Sequence, residues 1–117
     1  MKTFVNEQNT NINFSESTML SLGWINNAID LRIDIDWSGQ LNDGTVLIHE
    51  LSFLHCKFVT DLEVNFCFKN NNMGNVSIDN IIIDNLEARW QIRMEFIFQP
   101  VGFIRFVCDE IDFIIQE

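Results

Sequence analysis

The sequence contains no tyrosine, a single proline and only five glycines among its 117 residues. Proline cannot donate to a sheet and glycine weakens strand interiors, so their scarcity allows long strands. The longest apolar runs, such as Ile81-Ile82-Ile83, are far too short to cross a membrane. Residues Met1 to Glu7 lack the apolar stretch of an export signal. These absences predict a cytoplasmic protein without a membrane partner.

Basic residues are also scarce, since 7 Lys and Arg stand against 17 Asp and Glu and give a net charge of −10. Nucleic-acid binding needs a basic surface that displaces phosphate counterions, so a nucleic-acid partner is not expected. The charge permits a basic protein partner, which it would attract by electrostatic steering. The alternative interpretation is that acidity only keeps a phenylalanine-rich protein in solution.

Three cysteines, Cys56, Cys67 and Cys108, leave at least one thiol unpaired, as is usual in the cytosol. His49 and His55 share strand parity, but no Cys-x-x-Cys or His-x-x-x-His spacing accompanies them, so no metal and no cofactor are predicted. His55 and Cys56 are adjacent and would point to opposite faces of a strand, so they cannot form a catalytic Cys–His pair. No catalytic residue is predicted, and the chain is expected not to be an enzyme.

Two segments alternate apolar and polar residues with a period of two, which is typical of strands with one dry and one wet face. From Leu86 to Phe98 every even position is apolar, which predicts one strand of thirteen residues. From Ile29 to Trp37 the alternation has no fault. A strand as long as the first must twist, and this favours a curved wall.

The rest of the chain predicts further strands joined by short turns. Strands are expected over Thr45–Cys56 and Thr60–Lys69, and a phase slip at Asp79-Asn80 indicates a bulge. Ser15 and Gly23 suit the two ends of one short helix. The predicted fold is all-β: a single antiparallel domain over 1–117, with 1–14 as a short strand plus a polar loop. Its meander forms a curved sheet or half-barrel of about 7–8 strands with one short N-terminal helix.

Acidic residues accumulate on the wet faces, where like charges at alternate positions repel and do not stabilise the free fold. They form either a solvated face or a docking surface whose carboxylates accept Arg or Lys from a partner. Trp37 and Trp90 are expected in the core, whereas Trp24 is a candidate contact residue. The predicted partner-binding residues are Asp30, Asp34, Asp36, Asp109, Glu110 and Asp112.

The segment Gly23-Trp24-Ile25-Asn26-Asn27-Ala28, followed by the Ile/Asp strand, resembles small bacterial β-sheet immunity proteins of polymorphic and contact-dependent growth inhibition toxin systems. In that group a Trp-His-Asp-Ala-like segment precedes the first main strand, and here Asn26-Asn27 replaces the His-Asp pair. Later Leu-x-Phe-x-x-Cys-like and Phe-x-Cys-x-x-Ile-like segments correspond to Leu51–Cys56 and Phe106–Ile111. The resemblance implies a cytosolic protein that binds and blocks one cognate toxin, often a nuclease.

The sequence therefore leads to a first hypothesis and one alternative. The first is an immunity protein that neutralises a basic toxin domain by stoichiometric occlusion of its active site. The alternative is a small β-barrel carrier of an apolar ligand such as a fatty acid, since a phenylalanine-rich barrel wall admits an apolar cavity. Monomer and homodimer are both left open.

Overall fold

The computed structural model describes residues 2–41, 43–68, 76–98 and 100–116. Within them the chain is nearly all β, as predicted, and its strands form one open antiparallel sheet. The asparagine-rich stretch Asn70–Asn75, whose composition predicts a loop, lies outside the described residues. Among those described, no helix has the length and apolar content needed to cross a membrane. The elements in chain order are β1 (Lys2–Val5), a 3-10 helix (Asn6–Asn11), β2 (Thr18–Ile25), β3 (Asp30–Gln40), β4 (Val46–Lys57), β5 (Thr60–Cys67), β6 (Ser77–Asn85), β7 (Trp90–Ile97), β8 (Val101–Cys108) and β9 (Glu110–Ile115).

The strands follow the spatial order β1-β9-β4-β3-β2-β6-β7-β8-β5. Two three-stranded meanders, β2-β3-β4 and β6-β7-β8, meet through a short contact in which Thr18 pairs with Ser77. We call β1, β9, β4, β3 and β2 the first half-sheet, and β6, β7, β8 and β5 the second. Each meander is followed by one strand that crosses to the other half-sheet: β5 pairs with β8, and β9 pairs with β4.

The two half-sheets follow the same plan in detail. The β2–β3 ladder is interrupted by a bulge between Met19 and Ser21, and the β6–β7 ladder by one between Ile78 and Asn80. The second of these confirms the bulge predicted from the phase slip. Positions in the two meanders can therefore be matched. Arg32 on β3 corresponds to Arg93 on β7, and the other positions of these strands are matched by counting from these two arginines. This internal two-fold plan has no fixed sequence period and was not predicted.

Both half-sheets turn their apolar face to a single core. Alternation on β3 and β7 buries every second side chain, as the period of two requires. The thiols of Cys56 on β4 and Cys108 on β8 are both buried and lie next to each other, so the two half-sheets meet there, and burial raises the pKa of the Cys56 thiol. The core comprises Ile12, Phe14, Leu31, Ile33, Ile35, Trp37, Leu41, Leu54, Cys56, Ile78, Ile92, Met94, Phe96, Ile104, Phe106, Cys108, Ile111, Phe113 and Ile115.

Trp37 closes the first half-sheet's side of the core. Its ring lies edge-on to Phe113, with centroids 5.7 Å apart, and its indole N–H donates to the Asn13 carbonyl at 2.9 Å. Gly39 must remain glycine for this packing, because a Cβ there would lie 2.8 Å from the Trp37 ring. Trp37 is fully buried and Trp90 packs partly buried against the core, as predicted.

Two predicted elements are wrong. No helix forms over Ser15–Gly23: Ser15 and Glu16 lie in a turn, and Thr18–Gly23 belong to β2, because ladder pairing with β3 from Thr18 to Ile25 outweighs weak capping signals. The thirteen-residue strand expected from Leu86 is shorter: Leu86 to Arg89 form a turn, in which the Leu86 N–H donates to the Arg89 carbonyl at 2.8 Å. The alternation of apolar and polar residues continues through this turn, but its residues are outside the β6–β7 ladder, which would otherwise hold their backbone extended.

The polar lead-in is also more ordered than a loop. It forms the 3-10 helix, which is fixed to β9 by two asparagine side chains. The Asn6 Oδ1 accepts the Ile111 N–H at 3.0 Å, and the Asn9 amide donates to the Ile111 carbonyl at 3.3 Å. The short strand expected at Thr3-Phe4-Val5 forms as β1, paired with β9.

Candidate functional site

Five of the six predicted contact residues occupy strand positions on the outer side of the first half-sheet, and four of them are accessible there, whereas Asp30 is buried. Asp30, Asp34 and Asp36 come from β3. Glu110 and Asp112 come from β9, which is separated from β3 only by β4. The two groups are about 80 residues apart in sequence, so only the crossing of β9 into this half-sheet brings them together. Asp109 lies apart, in the link between β8 and β9.

Asp30 is held inside the fold and is only 6% exposed. Its Oδ2 lies 2.8 Å from His55 Nε2 and accepts the Asn26 amide at 2.7 Å, while its Oδ1 accepts the Phe58 N–H at 3.1 Å. Burial acts to raise the pKa of Asp30, but these hydrogen bonds outweigh it and leave the pKa below its usual value. An ionised carboxylate with these partners ties the β2–β3 turn to β4 and the β4–β5 link.

The turn that supplies Asn26 is unusual in its backbone. Asn26, Asn27 and Ala28 have φ angles of 52°, 60° and 63°. Asparagine tolerates this left-handed region, but alanine costs about 1 kcal/mol or more there. The segment singled out by its resemblance is therefore a strained turn, and its Asn26 serves the Asp30 carboxylate.

Asp34 and Asp36 remain partly accessible on the same strand. Asp34 accepts the Ser21 hydroxyl at 2.6 Å and the Arg32 guanidinium at 3.0 Å. Partial burial acts to raise its pKa, and these two partners lower it by more, so the carboxyl stays ionised near neutral pH. Asp36 lies 3.1 Å from Nδ1 of the exposed His49.

Glu110 and Asp112 share one lysine. The Lys57 ammonium lies 3.3 Å from the Glu110 carboxylate and 3.7 Å from that of Asp112. The hydrogen bond that Lys57 donates to Glu110 and the nearby charge of Asp112 raise the pKa of Lys57. One cation therefore serves two carboxylates, which retain capacity to accept further hydrogen bonds.

Apolar side chains of β4 separate these two acidic groups. Phe53 lies opposite Asp34 in the β3–β4 register, and the Arg32 guanidinium stacks on its ring at 3.8 Å. Leu51 lies opposite Asp36 and is 55% exposed. We call Asp34, Asp36, Leu51, Phe53, Glu110 and Asp112 the acidic face. It combines a small apolar centre with carboxylates on both sides.

Asp109 belongs to a different structure at one end of the molecule. It accepts the Arg89 Nε–H at 2.6 Å, while other Arg89 N–H groups bind the Thr60 hydroxyl at 2.7 Å and the Phe58 carbonyl. Arg89 thereby joins the β6–β7 turn to both inter-half links. A cavity of about 390 Å³ opens here, lined by Ala28, Ile29, Phe58, Val59, Thr60, Arg89 and Asp109.

The histidines and cysteines do not gather into a ligand set. Within the described ranges, no group of three or more His, Cys, Asp or Glu side chains is placed to hold a metal ion. His55 is engaged with Asp30, and Cys56 points into the core on the other side of β4.

Sequence reasoning missed two features of this region. Leu51 and Phe53 were not identified as part of a surface, although their odd parity on the second long strand was a usable signal. The strand β2 was missed because its segment was interpreted as a helix.

No protein-family profile matches the chain, and no curated protein is significantly similar to it in sequence. One solved structure is similar: an uncharacterized protein from Neisseria gonorrhoeae, with a TM-score of 0.58 at 10% sequence identity. The alignment covers 97% of this chain and 97% of that one. At this identity the likeness shows the fold alone.

Proposed function

We propose that this chain is a cytoplasmic immunity protein that binds a cognate basic toxin domain, a nuclease, and blocks its active site stoichiometrically. The acidic face carries this proposal. Its carboxylates can accept Arg and Lys side chains that would otherwise bind phosphate, and its apolar centre supplies area that excludes water. The net charge of −10 favours rapid association with such a partner.

The correspondence between the half-sheets supports a role beyond folding for Asp36, whereas Asp34 also serves the architecture. Asp34 corresponds to Glu95, which likewise follows an arginine stacked on a phenylalanine: Arg93 lies 4.0 Å from the Phe103 ring centre. Asp36 corresponds to Ile97, so the strand plan does not require an acid there. A carboxylate that folding does not demand is available for binding.

The carrier alternative gains no comparable support. The inward side chains of the described strands fill one core, and the cavities described here open at the surface. No interior space with a polar anchor for a fatty acid is seen among the described residues.

The first experiment is a pull-down with the product of the gene immediately upstream, at low and moderate salt. We expect a one-to-one complex with a basic toxic domain that survives moderate salt. The informative variant is Asp34→Lys/Asp36→Lys, and the matched control is Glu63→Lys/Glu95→Lys, which changes the net charge equally on the second half-sheet.

We expect the first double variant to weaken the complex on the order of a hundredfold, because each buried charge contact contributes about 1.5 kcal/mol or more. The control should change affinity by less than about threefold, with circular dichroism confirming that both variants fold. Equal weakening by both would show attraction to overall charge and contradict the assignment of the acidic face. Absence of any partner would contradict the proposed function itself.

A further inference from the structure

Phe58 is exposed although the strand that precedes it points this position toward the core. Leu54 and Cys56 on β4 are fully buried, so the period of two would turn Phe58 inward as well. Phe58 instead follows the last residue of β4 and has a φ of 54°, which breaks the alternation. Its side chain is 57% exposed.

The second half-sheet has a buried residue at the corresponding position. Phe53 and Phe103 correspond, because each lies under the arginine of its own half-sheet. Five residues further along, Phe58 corresponds to Cys108, which ends β8 and is fully buried. β5 begins two residues after Phe58, and β9 begins two residues after Cys108. The arrangement of strands therefore does not require an exposed phenylalanine here.

Three hydrogen bonds hold the backbone that carries Phe58. Its N–H donates to Asp30 Oδ1 at 3.1 Å, and its carbonyl accepts an N–H of Arg89. The N–H of Val59 donates to the Ile29 carbonyl at 2.9 Å. A left-handed backbone is unfavourable for phenylalanine and persists only where the surroundings hold it. The direction of this side chain is therefore set before any partner binds, so little conformational freedom is lost on binding.

Phe58 lines the cavity of about 390 Å³ at this end of the molecule, which we call the end cavity. Its lining combines apolar with polar residues: Ala28, Ile29, Phe58 and Val59 with Thr60, Arg89 and Asp109. The chain links that form this end all belong to the described residues: 26–29, 58–59, 86–89 and 109. The end cavity can therefore take an apolar group and a polar one side by side.

Negative charge is in excess around the end cavity. Asp109 is paired with Arg89, while Glu110 and Asp112 share the single ammonium of Lys57. Three carboxylates thus stand against two cations. The Asp109 side chain is half exposed and can accept further hydrogen bonds. Charge complementarity therefore selects a basic side chain at this carboxylate.

The end cavity adjoins the acidic face. The Asp109 N–H donates to the Lys57 carbonyl at 2.8 Å, and the Lys57 ammonium donates to Glu110 at 3.3 Å. Phe58 directly follows Lys57, and Glu110 directly follows Asp109. A partner that covers Glu110 on the acidic face therefore lies within one residue of the end cavity.

We propose that the end cavity is a second contact site for the toxin domain. It receives an apolar side chain of the toxin beside Phe58, and an adjacent basic side chain binds the Asp109 carboxylate. This inference rests on the proposed function and adds a site outside the acidic face. Because the site demands an apolar and a basic residue together, it distinguishes the cognate toxin from other basic domains.

A second copy of this chain fits the end cavity less well. Two end cavities placed against each other would bring together the carboxylates of Asp109 and Glu110 from both copies, and each chain carries a charge of −10. Like charges placed across an interface disfavour association.

The test compares Phe58→Gly with Phe98→Gly in the full chain. Phe98 is a matched control, because it is also exposed and left-handed, with a φ of 72°, but follows the opposite end of the strands. Glycine adopts both backbone conformations readily, so we expect each variant to melt within about 3 °C of the wild type. We expect Phe58→Gly to weaken binding of the toxin domain encoded immediately upstream at least about tenfold. Phe98→Gly should leave that affinity unchanged.

A second pair of variants tests the basic contact. Asp109→Asn keeps an oxygen that can accept the Arg89 N–H but removes the charge, and Asp79→Asn removes an exposed charge from β6. We expect Asp109→Asn to weaken toxin binding about threefold or more at low salt and by less at moderate salt. Equal effects of the two variants would overturn the basic contact.

The remaining outcomes separate this inference from the proposed function. A toxin complex of equal affinity for wild type and Phe58→Gly would overturn the inference while the proposed function stands, and absence of any toxin complex would overturn both. A lower melting temperature for Phe58→Gly than for Phe98→Gly would assign Phe58 to the stability of the fold and contradict its role in binding. Dimerisation of the free protein that Phe58→Gly abolishes would assign the end cavity to a second copy.

Discussion

The two half-sheets have the same arrangement of strands but carry different side chains at several corresponding positions. Each has a bulge at the same place and an arginine stacked on a phenylalanine, with an acid two residues after that arginine. At the position of Asp30 the second half-sheet has Gln91, and at that of His55 it has Arg105, paired with Glu63. The shared features are therefore part of the architecture. Function is to be sought in the features that differ, such as Asp36, and in the hydrogen-bonding capacity that the contacts of Asp34 leave free.

Among corresponding positions, Trp37 and Phe98 should differ most in how much their substitution lowers the free energy of unfolding. Trp37 is fully buried, whereas Phe98 is 74% exposed. We expect Trp37→Ala to lower the free energy of unfolding by about 3–5 kcal/mol, because it leaves a cavity beside Phe113. Phe98→Ala should change it by less than about 0.5 kcal/mol. Urea denaturation of both variants measures the contrast, and similar losses would show that the two positions pack alike.

The next largest difference in the effect of substitution on the free energy of unfolding is expected between Asp30 and Gln91. Asp30→Asn should lower the free energy of unfolding by about 1–3 kcal/mol at pH 7, because the bonds from His55 and Phe58 lose an ionised acceptor. Gln91→Ala, at the corresponding half-buried position, should cost less than about 1 kcal/mol.

The Asp30 effect should also depend on pH. Because folding lowers the pKa of Asp30, its ionised form stabilises the fold above the unfolded pKa of about 3.9. This contribution is lost as pH falls through the lower, folded pKa. The gap between wild type and Asp30→Asn should therefore shrink as pH falls below about 4. A gap that stays constant between pH 7 and pH 2 would rule out the ionised carboxylate as its source.

The smallest effects are expected where the half-sheets agree. Arg32→Ala and Arg93→Ala each remove a guanidinium stacked on a half-buried phenylalanine, and each should cost about 0.5–1 kcal/mol. Thermal unfolding should give values that agree within about 0.5 kcal/mol. A clearly larger loss for Arg32 would show that its bond to Asp34 adds stability that the Arg93–Glu95 pair does not.

Much of the local structure was predictable, because a strand with one buried face shows apolar and polar residues alternating with a period of two. The alternation placed the buried face of β3 correctly from Leu31 to Trp37, although Ile29 lies in the preceding turn and is exposed. The phase slip at Asp79 located a bulge. Propensity failed where pairing decided the outcome. Thr18–Ile25 has little alternation of its own and becomes a strand through β3, while Leu86–Arg89 alternates but turns.

The candidate site was predictable only in part for the same reason. Parity placed Asp30, Asp34 and Asp36 on one side of a strand, but it could not show that Asp30 is enclosed by His55, Asn26 and Phe58. That depends on contacts between residues far apart in sequence.

The sequence by itself determined the all-β class, the faces of its regular strands and the acidic character of the surface, since these follow from local periodicity and composition. The tertiary structure decided that β9 crosses beside β4 and so brings together two acidic groups that are distant in sequence. Strand order is set by packing of the whole core and by non-local backbone hydrogen bonds, and neither leaves a pattern within a single segment.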